Sequence, residues 1–403
     1  MLQTTISANP APASPWRRGF LFFQESLCVH STRSSMRYLL FLFLAVAPSL
    51  LFAQTQHPYF QHGVASGDPL QDRVILWTRV TPPTGHDGRS LLTRWQISPD
   101  LQFKDIVNQG ASYARAEHDY TLHIDADDLQ PNTWYYYRFF TGGDTSVTGR
   151  TRTTPDSLLL QLRFGVLTCA NLTNNFAGYG HLVQPNDLDA IIHLGDYIYE
   201  NGDDPNRTPR AKYPHKTLKT LDDYRKRYAQ YRLDPHLQFA HQQLPWMPVW
   251  DDHETTNDCY HNGKHGMDSL AYMRLKQVAR QAWYEWLPVR HPDPSDPERI
   301  WRRSDWGPLL NVLLLDTRRY GRAPQLEKGD IKLKDPDRSM LGKTQRNWLF
   351  QELAASTSQW NLLAQQVLMA PLKLPTHSYE GDKWDGYPAA RDSLLSFLWA
   401  ESN

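Results

Sequence analysis

Cysteine is scarce in this chain of 403 residues, which has only 3. So few thiols exclude a small scaffold stapled by disulfides. An excess of either charge is also missing: Lys and Arg number 43, Asp and Glu 43, and no long basic run interrupts the balance. Binding to a phosphate backbone needs clustered cations, so charge speaks against nucleic acid as the main partner. Internal repeats and low-complexity tracts are absent. No hydrophobic run spans a bilayer comfortably; the longest, from Tyr38, holds about fifteen residues, where a spanning helix needs about twenty. What is present is length, more than one core usually organises, so the composition implies two soluble domains.

The run beginning Met36-Arg37-Tyr38 and ending Leu51-Phe52-Ala53 before Gln54 has the basic start and small final residue of a secretory signal. Residues 36–53 are therefore expected to be a signal peptide cleaved after Ala53, with a buried helix or membrane anchor as the alternative. Residues 1–35 precede it without an evident purpose, and Met36 makes a natural start. Arg17-Arg18-Gly19-Phe20-Leu21 resembles a twin-arginine export motif, but polar residues separate it from the apolar run. Residues 1–53 are thus set aside as a leader, and the remaining cysteines are Cys169 and Cys259.

From residue 54 to 155 the chain reads as short β-rich runs, such as Val74 to Arg79 and Leu92 to Ile97, separated by turn clusters like Ser66-Gly67-Asp68-Pro69. That spacing predicts an antiparallel sandwich of the fibronectin or immunoglobulin kind. The aromatic run from Asn132 to Phe140 reads as a core strand, with a ligand-stacking platform as its functional alternative. From residue 156 to 403 apolar runs alternate with amphipathic stretches. Leu162 to Leu167, Ala190 to Leu194, Pro248 to Trp250, Leu309 to Leu315 and Leu362 to Met369 are expected strands; Leu218 to Arg232, Asp268 to Trp286, Lys343 to Ala355 and Arg391 to Ala400 are expected helices. Alternation of this kind signals an α/β domain whose functional loops leave the carboxyl ends of its strands. Residues 290–299 hold three prolines and are expected to be loop.

Three successive strands run into polar clusters: Thr168-Cys169-Ala170-Asn171, Gly195-Asp196-Tyr197-Ile198-Tyr199-Glu200 and Asp251-Asp252-His253-Glu254. If the strands are parallel neighbours, a thiol, a phenol and several carboxylates meet in one crevice, which would repel itself without cations. Each residue alone has a plainer reading as a helix cap, a buried hydrophobe or a hydrogen-bonded core pair, and Cys169 could pair with Cys259. Recurrence after consecutive strands favours the joint site.

These residues, with Gly63 to Pro69, Leu76-Trp77-Thr78-Arg79, Leu315-Asp316-Thr317-Arg318, Leu341-Gly342, Gln345, Trp348-Leu349, Gln365-Gln366-Val367 and Trp384-Asp385-Gly386-Tyr387-Pro388, carry a resemblance. In this order they resemble the PhoD-like alkaline phosphatase and phosphodiesterase family, within the calcineurin-like metallophosphatases, from Phe60 to Leu398. The resemblance implies a β-sandwich packed on an αββα catalytic domain with metals at the strand ends. By it, Asp196 bridges two metals, Cys169 and Tyr199 bind Fe(3+), and Ca(2+) ions occupy oxygen-rich positions nearby, with Asp251 among the ligands. Asp252 would bind the second metal and approach a phosphate oxygen, while His253 would assist the leaving group or orient a neighbour. A reduced thiolate at Cys169 is incompatible with a disulfide. Arg318 and Arg391 are candidates for bidentate phosphate contact, with surface salt bridges as the alternative.

The family pattern continues into a further strand ending Gly-Asp-x-His, which is expected beyond residue 403; the catalytic domain is read as truncated. The expected protein is an exported, periplasmic or extracellular monomer without a stable membrane anchor. It would hydrolyse small phosphate esters or phosphodiester polymers by attack of a metal-bound hydroxide. The alternatives are an inactive fragment or binding module, and an enzyme of the purple acid phosphatase type.

Overall fold

The computed structural model of the chain describes residues 2–7, 19–22, 57–371 and 379–402. Residues 36–53, read as a signal peptide, lie outside these. In chain order the strands are β1 (Leu2–Ser7) and β2 (Gly19–Phe22), then β3 (Val64–Gly67), β4 (Val74–Arg79), β5 (Leu91–Ser98), β6 (Asn108–Ala114), β7 (Thr121–Ala126), β8 (Trp134–Thr141), β9 (Asp144–Thr145) and β10 (Gly149–Arg152). They continue with β11 (Gln161–Leu167), β12 (Ala190–His193), β13 (Pro245–Pro248), β14 (Arg302–Trp306), β15 (Leu310–Leu314) and β16 (Trp360–Ala364). Six α-helices accompany the later strands: α1 (Ala177–Val183), α2 (Leu221–Arg232), α3 (Pro235–Gln243), α4 (Ser269–Trp286), α5 (Gly342–Ala355) and α6 (Pro388–Ser402).

Alternation along β8 places Tyr135, Tyr137 and Phe139 in the sandwich core, with Trp95 and Ile97 of β5 and Val74 and Leu76 of β4. The aromatic strand therefore fills a core and offers no stacking platform on that face. One sheet of the sandwich runs β10-β8-β5-β6; the other is β3-β4-β7. This second sheet does not stop at the domain edge. β3 pairs parallel with β13, so a single seven-stranded sheet runs β1-β11-β12-β13-β3-β4-β7. Gly67 permits the join, because a Cβ there would stand 2.1 Å from the Pro288 carbonyl and 2.6 Å from that of Trp246. Asp68, beside it, receives the Arg302 guanidinium at 2.6 Å and the Arg290 N–H at 2.8 Å.

The carboxyl-terminal half is two sheets face to face, helices outside. β15 is apolar at every position but Asn311, because both its faces are covered: Leu310, Val312 and Leu314 face the first sheet, and Leu313 faces α5 and α6. The Phe164 and Trp306 rings meet edge to face between the layers, 5.0 Å apart. α2 opens with a capping box, Thr220 with Asp223, and α4 with Asp268 accepting from Ala271 N. On α4 the residues Tyr272, Leu275, Ala279, Trp283 and Trp286, spaced three or four apart, are buried.

Several boundaries differ from expectation. The third expected strand starts earlier and ends at Pro248; Val249 still donates to the His193 carbonyl, but the chain turns off at Trp250. β16 ends at Ala364, five residues before Met369, because Gln366 leaves the ladder to bind Thr317. Two stretches of the set-aside leader are seated on the sheets: β1 lies antiparallel to β11 and β2 parallel to β16. Each runs along a strand edge whose backbone groups otherwise have no partner on that side, and such an edge accepts an extended segment of suitable alternation.

Candidate metal centre

β11, β12 and β13 are parallel neighbours, so their carboxyl ends open on the same side of the sheet. The loops leaving them are knitted together. Cys169 N donates to the Gly195 carbonyl and Ala170 N to that of Asp196. Gly195, at φ +96°, lies so close to the third loop that a Cβ would stand 2.2 Å from Asp251 N. Cys169 and Asp196 both adopt left-handed backbone, at φ 59° and 56°. Non-glycine residues hold that conformation at a cost, commonly where a site demands it.

Around Asp196 the groups converge. The Tyr199 hydroxyl donates to Asp196 Oδ2 at 3.0 Å, and the Cys169 thiol reaches the same oxygen at 3.4 Å. One donor atom from each of Asp196, Asp252 and His253 lies within 4.8 Å of the others. Burial pushes the Asp196 carboxyl well above its ordinary value, and the charges of Asp251, Asp252 and Glu254 push it the same way. Burial, then Asp196 and Cys169, raise the Tyr199 phenol. The carboxylates and the phenol suit a hard cation and the thiol and imidazole a softer one, and cation charge of either kind would relieve what the neighbours now oppose.

His253 is held from behind. Its Nδ1 lies 2.7 Å from Glu200 Oε2, and Glu200 also accepts from Asn257 N at 2.8 Å and Thr256 Oγ1 at 3.3 Å. Burial alone lowers the imidazole pKa, but the Glu200 hydrogen bond and the charges of Asp196 and Asp252 outweigh it, lifting it to about 9. The Tyr199 ring covers His253, centroids 4.1 Å apart. Asp252 accepts from Asp258 N at 2.6 Å.

Asp251 is set differently from Asp252. Its carboxylate takes the Arg318 guanidinium, which also bonds Asp382 and stands 3.9 Å from Asp252. Burial raises Asp251 to about 7 despite that partner. Asp382 is further held by Arg322 and Gln325, each at 2.7 Å, and the two arginines keep its carboxyl low against the effect of burial. Arg318 is thus buried between carboxylates, and the half-buried Arg391 pairs with Asp385 at 2.7 Å. Each of the two arginines considered for phosphate contact is engaged in an ion pair. Cys169 and Cys259 are both thiols, one exposed and one buried, and are not joined.

Residues 164–403 match the family model for the PhoD-like phosphatase, and residues 45–155 match that for the PhoD-like phosphatase N-terminal domain. The chain belongs to the PhoD-like phosphatase family. It is 37% identical over 366 residues to alkaline phosphatase D of Bacillus subtilis (strain 168), covering 84% of this chain and 61% of that protein. The solved structure of PhoD superposes with a TM-score of 0.80 at 36% identity, covering 86% of this chain and 70% of the other. The family fold expected from sequence, an amino-terminal domain with a mixed-sheet catalytic domain, is the one observed. Glu200, Glu254 and Asp382 were not singled out by sequence reasoning. The first two stand at the ends of the quoted motifs, which was the available signal; Asp382 carried none.

Proposed function

We propose that this PhoD-like chain is an exported, metal-dependent phosphoesterase acting on phosphate monoesters or diesters. The observation that carries the reading is the meeting of Cys169, Asp196, Tyr199, Asp252 and His253 at the ends of three parallel strands. Membership in the family and likeness to an alkaline phosphatase D support it.

Cys169, Asp196 and Tyr199 would hold one cation, Fe(3+) by the family resemblance, and Asp196 with Asp252 a second, such as Ca(2+). Asp251, neutralised by Arg318, would serve as an outer support. Cations there would supply Lewis acidity, withdrawing charge from phosphoryl oxygens and acidifying water. The chain's own part is positional and protonic. Glu200 fixes Nδ1 of His253, leaving Nε2 as the nitrogen that can hand a proton to a departing alkoxide. Cations would offset the Asp196 and Asp252 charges that now favour the protonated ring, so the orientation set by Glu200 is what carries this role. Small phosphate esters and phosphodiester polymers both fit this chemistry.

Asp196→Asn tests the reading. The substituted protein is expected to lose turnover of p-nitrophenyl phosphate and bis-p-nitrophenyl phosphate and to retain its fold; unimpaired turnover would refute the assignment. Elemental analysis of the purified chain supplies a second check, since a folded, metal-free and inactive protein would favour a binding module instead.

A further inference from the structure

Glu254 closes the third polar motif, yet its side chain points away from the groups that meet at Asp196 Oδ2 and is fully buried. Its carboxylate collects three backbone N–H groups. Oε2 accepts from Asp196 N at 3.0 Å and from Asp251 N at 2.9 Å; Oε1 accepts from Tyr197 N at 2.6 Å. Two of these amides belong to the loop after β12 and one to the loop after β13. Among the described residues, no cationic side chain pairs with Glu254. A buried carboxylate without a counter-ion is stabilised here by charge-assisted bonds to donors that would otherwise be buried unpaired. Two of those donors, Asp196 N and Tyr197 N, lie on the segment that Gly195 and Asp196 carry through left-handed backbone.

We infer that Glu254 is a positioning residue, a clip whose carboxylate fixes the spacing between the Asp196 loop and the Asp251–Asp252 loop. That spacing sets the separation of the donors that would share cations, although Glu254 touches neither cation nor ester. The inference rests on the phosphoesterase reading only in taking those donors as cation ligands. A plain core carboxylate would contribute stability alone. A clip predicts a local effect: the loops lose their relation while the sheets stay intact.

Glu254→Gln keeps the shape and one acceptor but turns an amide group toward a backbone N–H, so at least one of the three bonds is lost. Glu254→Asp shortens the reach and serves as the second variant. Three measurements apply to the full chain: urea unfolding, hydrogen exchange of the Asp196, Tyr197 and Asp251 amides, and calorimetric titration with Mn(2+) alone. A variant that unfolds cooperatively is expected to show faster exchange at those three amides, unchanged protection in β11, and a Kd for Mn(2+) raised about 10- to 100-fold. An unchanged Kd in a folded variant overturns the inference. So does failure of both variants to fold, because the carboxylate would then serve the fold as a whole. If the unsubstituted chain binds no Mn(2+), the phosphoesterase reading fails, and the exchange of the three amides still decides whether Glu254 clips the loops.

Discussion

Nδ1 of His253 and Oε2 of Glu200 lie 2.7 Å apart, joining the loop after β13 to the loop after β12 across 53 residues of sequence. Burial pushes the Glu200 carboxyl up, but the His253 hydrogen bond and the Asn257 N–H outweigh it and hold it below its ordinary value. Removing the charge while keeping the shape should leave His253 poorly oriented and less readily protonated. Glu200→Gln is therefore expected to lower kcat by about 10- to 100-fold with a smaller effect on KM. Steady-state kinetics on p-nitrophenyl phosphate would show this; a kcat equal to that of the parent would argue against the pairing having a role in turnover.

Asp68 and Arg302 are both nearly enclosed, with side-chain exposures of 7% and 9%. Asp68→Asn tolerates the left-handed backbone at φ 41° but leaves the guanidinium without its charge partner. Breaking a buried pair of this kind costs about 3–5 kcal/mol. Urea unfolding followed by tryptophan fluorescence should show a midpoint shift of that size, and a shift under about 1 kcal/mol would mean that the pair adds little to the junction.

Among the described residues three histidines are buried in the interior: His62, His193 and His241. Burial holds the His193 pKa down at about 3, and burial with nearby cationic or histidine neighbours holds the other two well below the usual value. The unfolded chain binds protons at these positions below about pH 6.5, and the folded chain does not. Stability is therefore greatest above that pH and falls as pH drops, by about 1.4 kcal/mol per pH unit for each such group. The raised carboxyls of Asp196, Asp251 and Glu254 act with the opposite sign, so comparison with His193→Phe isolates one proton. Between pH 6.5 and about 3 the variant should lose stability less steeply than the parent; identical slopes would contradict this account.

Gly195→Ala places a methyl group 2.2 Å from Asp251 N in a backbone at φ +96°. The conformational cost alone is about 1–3 kcal/mol, and the overlap adds to it. The loops must part, so binding of Mn(2+) is expected to weaken more than overall stability. Calorimetry beside urea unfolding checks the order of the two effects.

Cation binding should in turn stabilise the fold. Free Mn(2+) at 100 times its Kd is expected to raise the unfolding free energy by about 2.7 kcal/mol, and a chelator should reverse it. A midpoint insensitive to both would remove the case for a cation at the three strand ends.

What could be read beforehand follows from where the signal resides. The strands of the catalytic core were visible because runs such as Leu310 to Leu314 are buried on both faces and so are apolar at all but one position, Asn311. β14 escaped notice because Arg302-Arg303-Ser304-Asp305 looks like surface, and partners distant in sequence, Asp68 and the Pro248 carbonyl, make Arg302 a core residue. α3 was missed because its nine residues, Pro235 to Gln243, carry little apolar periodicity. Among the site residues, Cys169, Asp196, Tyr199, Asp252 and His253 were legible as strand ends. Arg318 was legible as a functional arginine, but its enclosure by Asp251 and Asp382 depends on a segment 64 residues away that no local pattern announces. Glu200 and Glu254 stood in view within their motifs, but the partners of Glu200, and two of the three that Glu254 holds, belong to another loop.

The parallel pairing of β3 with β13 fixes how this protein can adapt to its substrates. Enzymes of two bodies often close over a ligand by swinging about a connecting segment. Here a swing would tear ladder hydrogen bonds one strand away from Asp251 and Asp252. The mouth of the crevice therefore cannot gape or shut as a jaw does. Under the proposed phosphoesterase reading, fitting a small ester or a long polymer would fall to the loops around its rim, which can be recast in length and sequence while the shared sheet beneath them stays fixed.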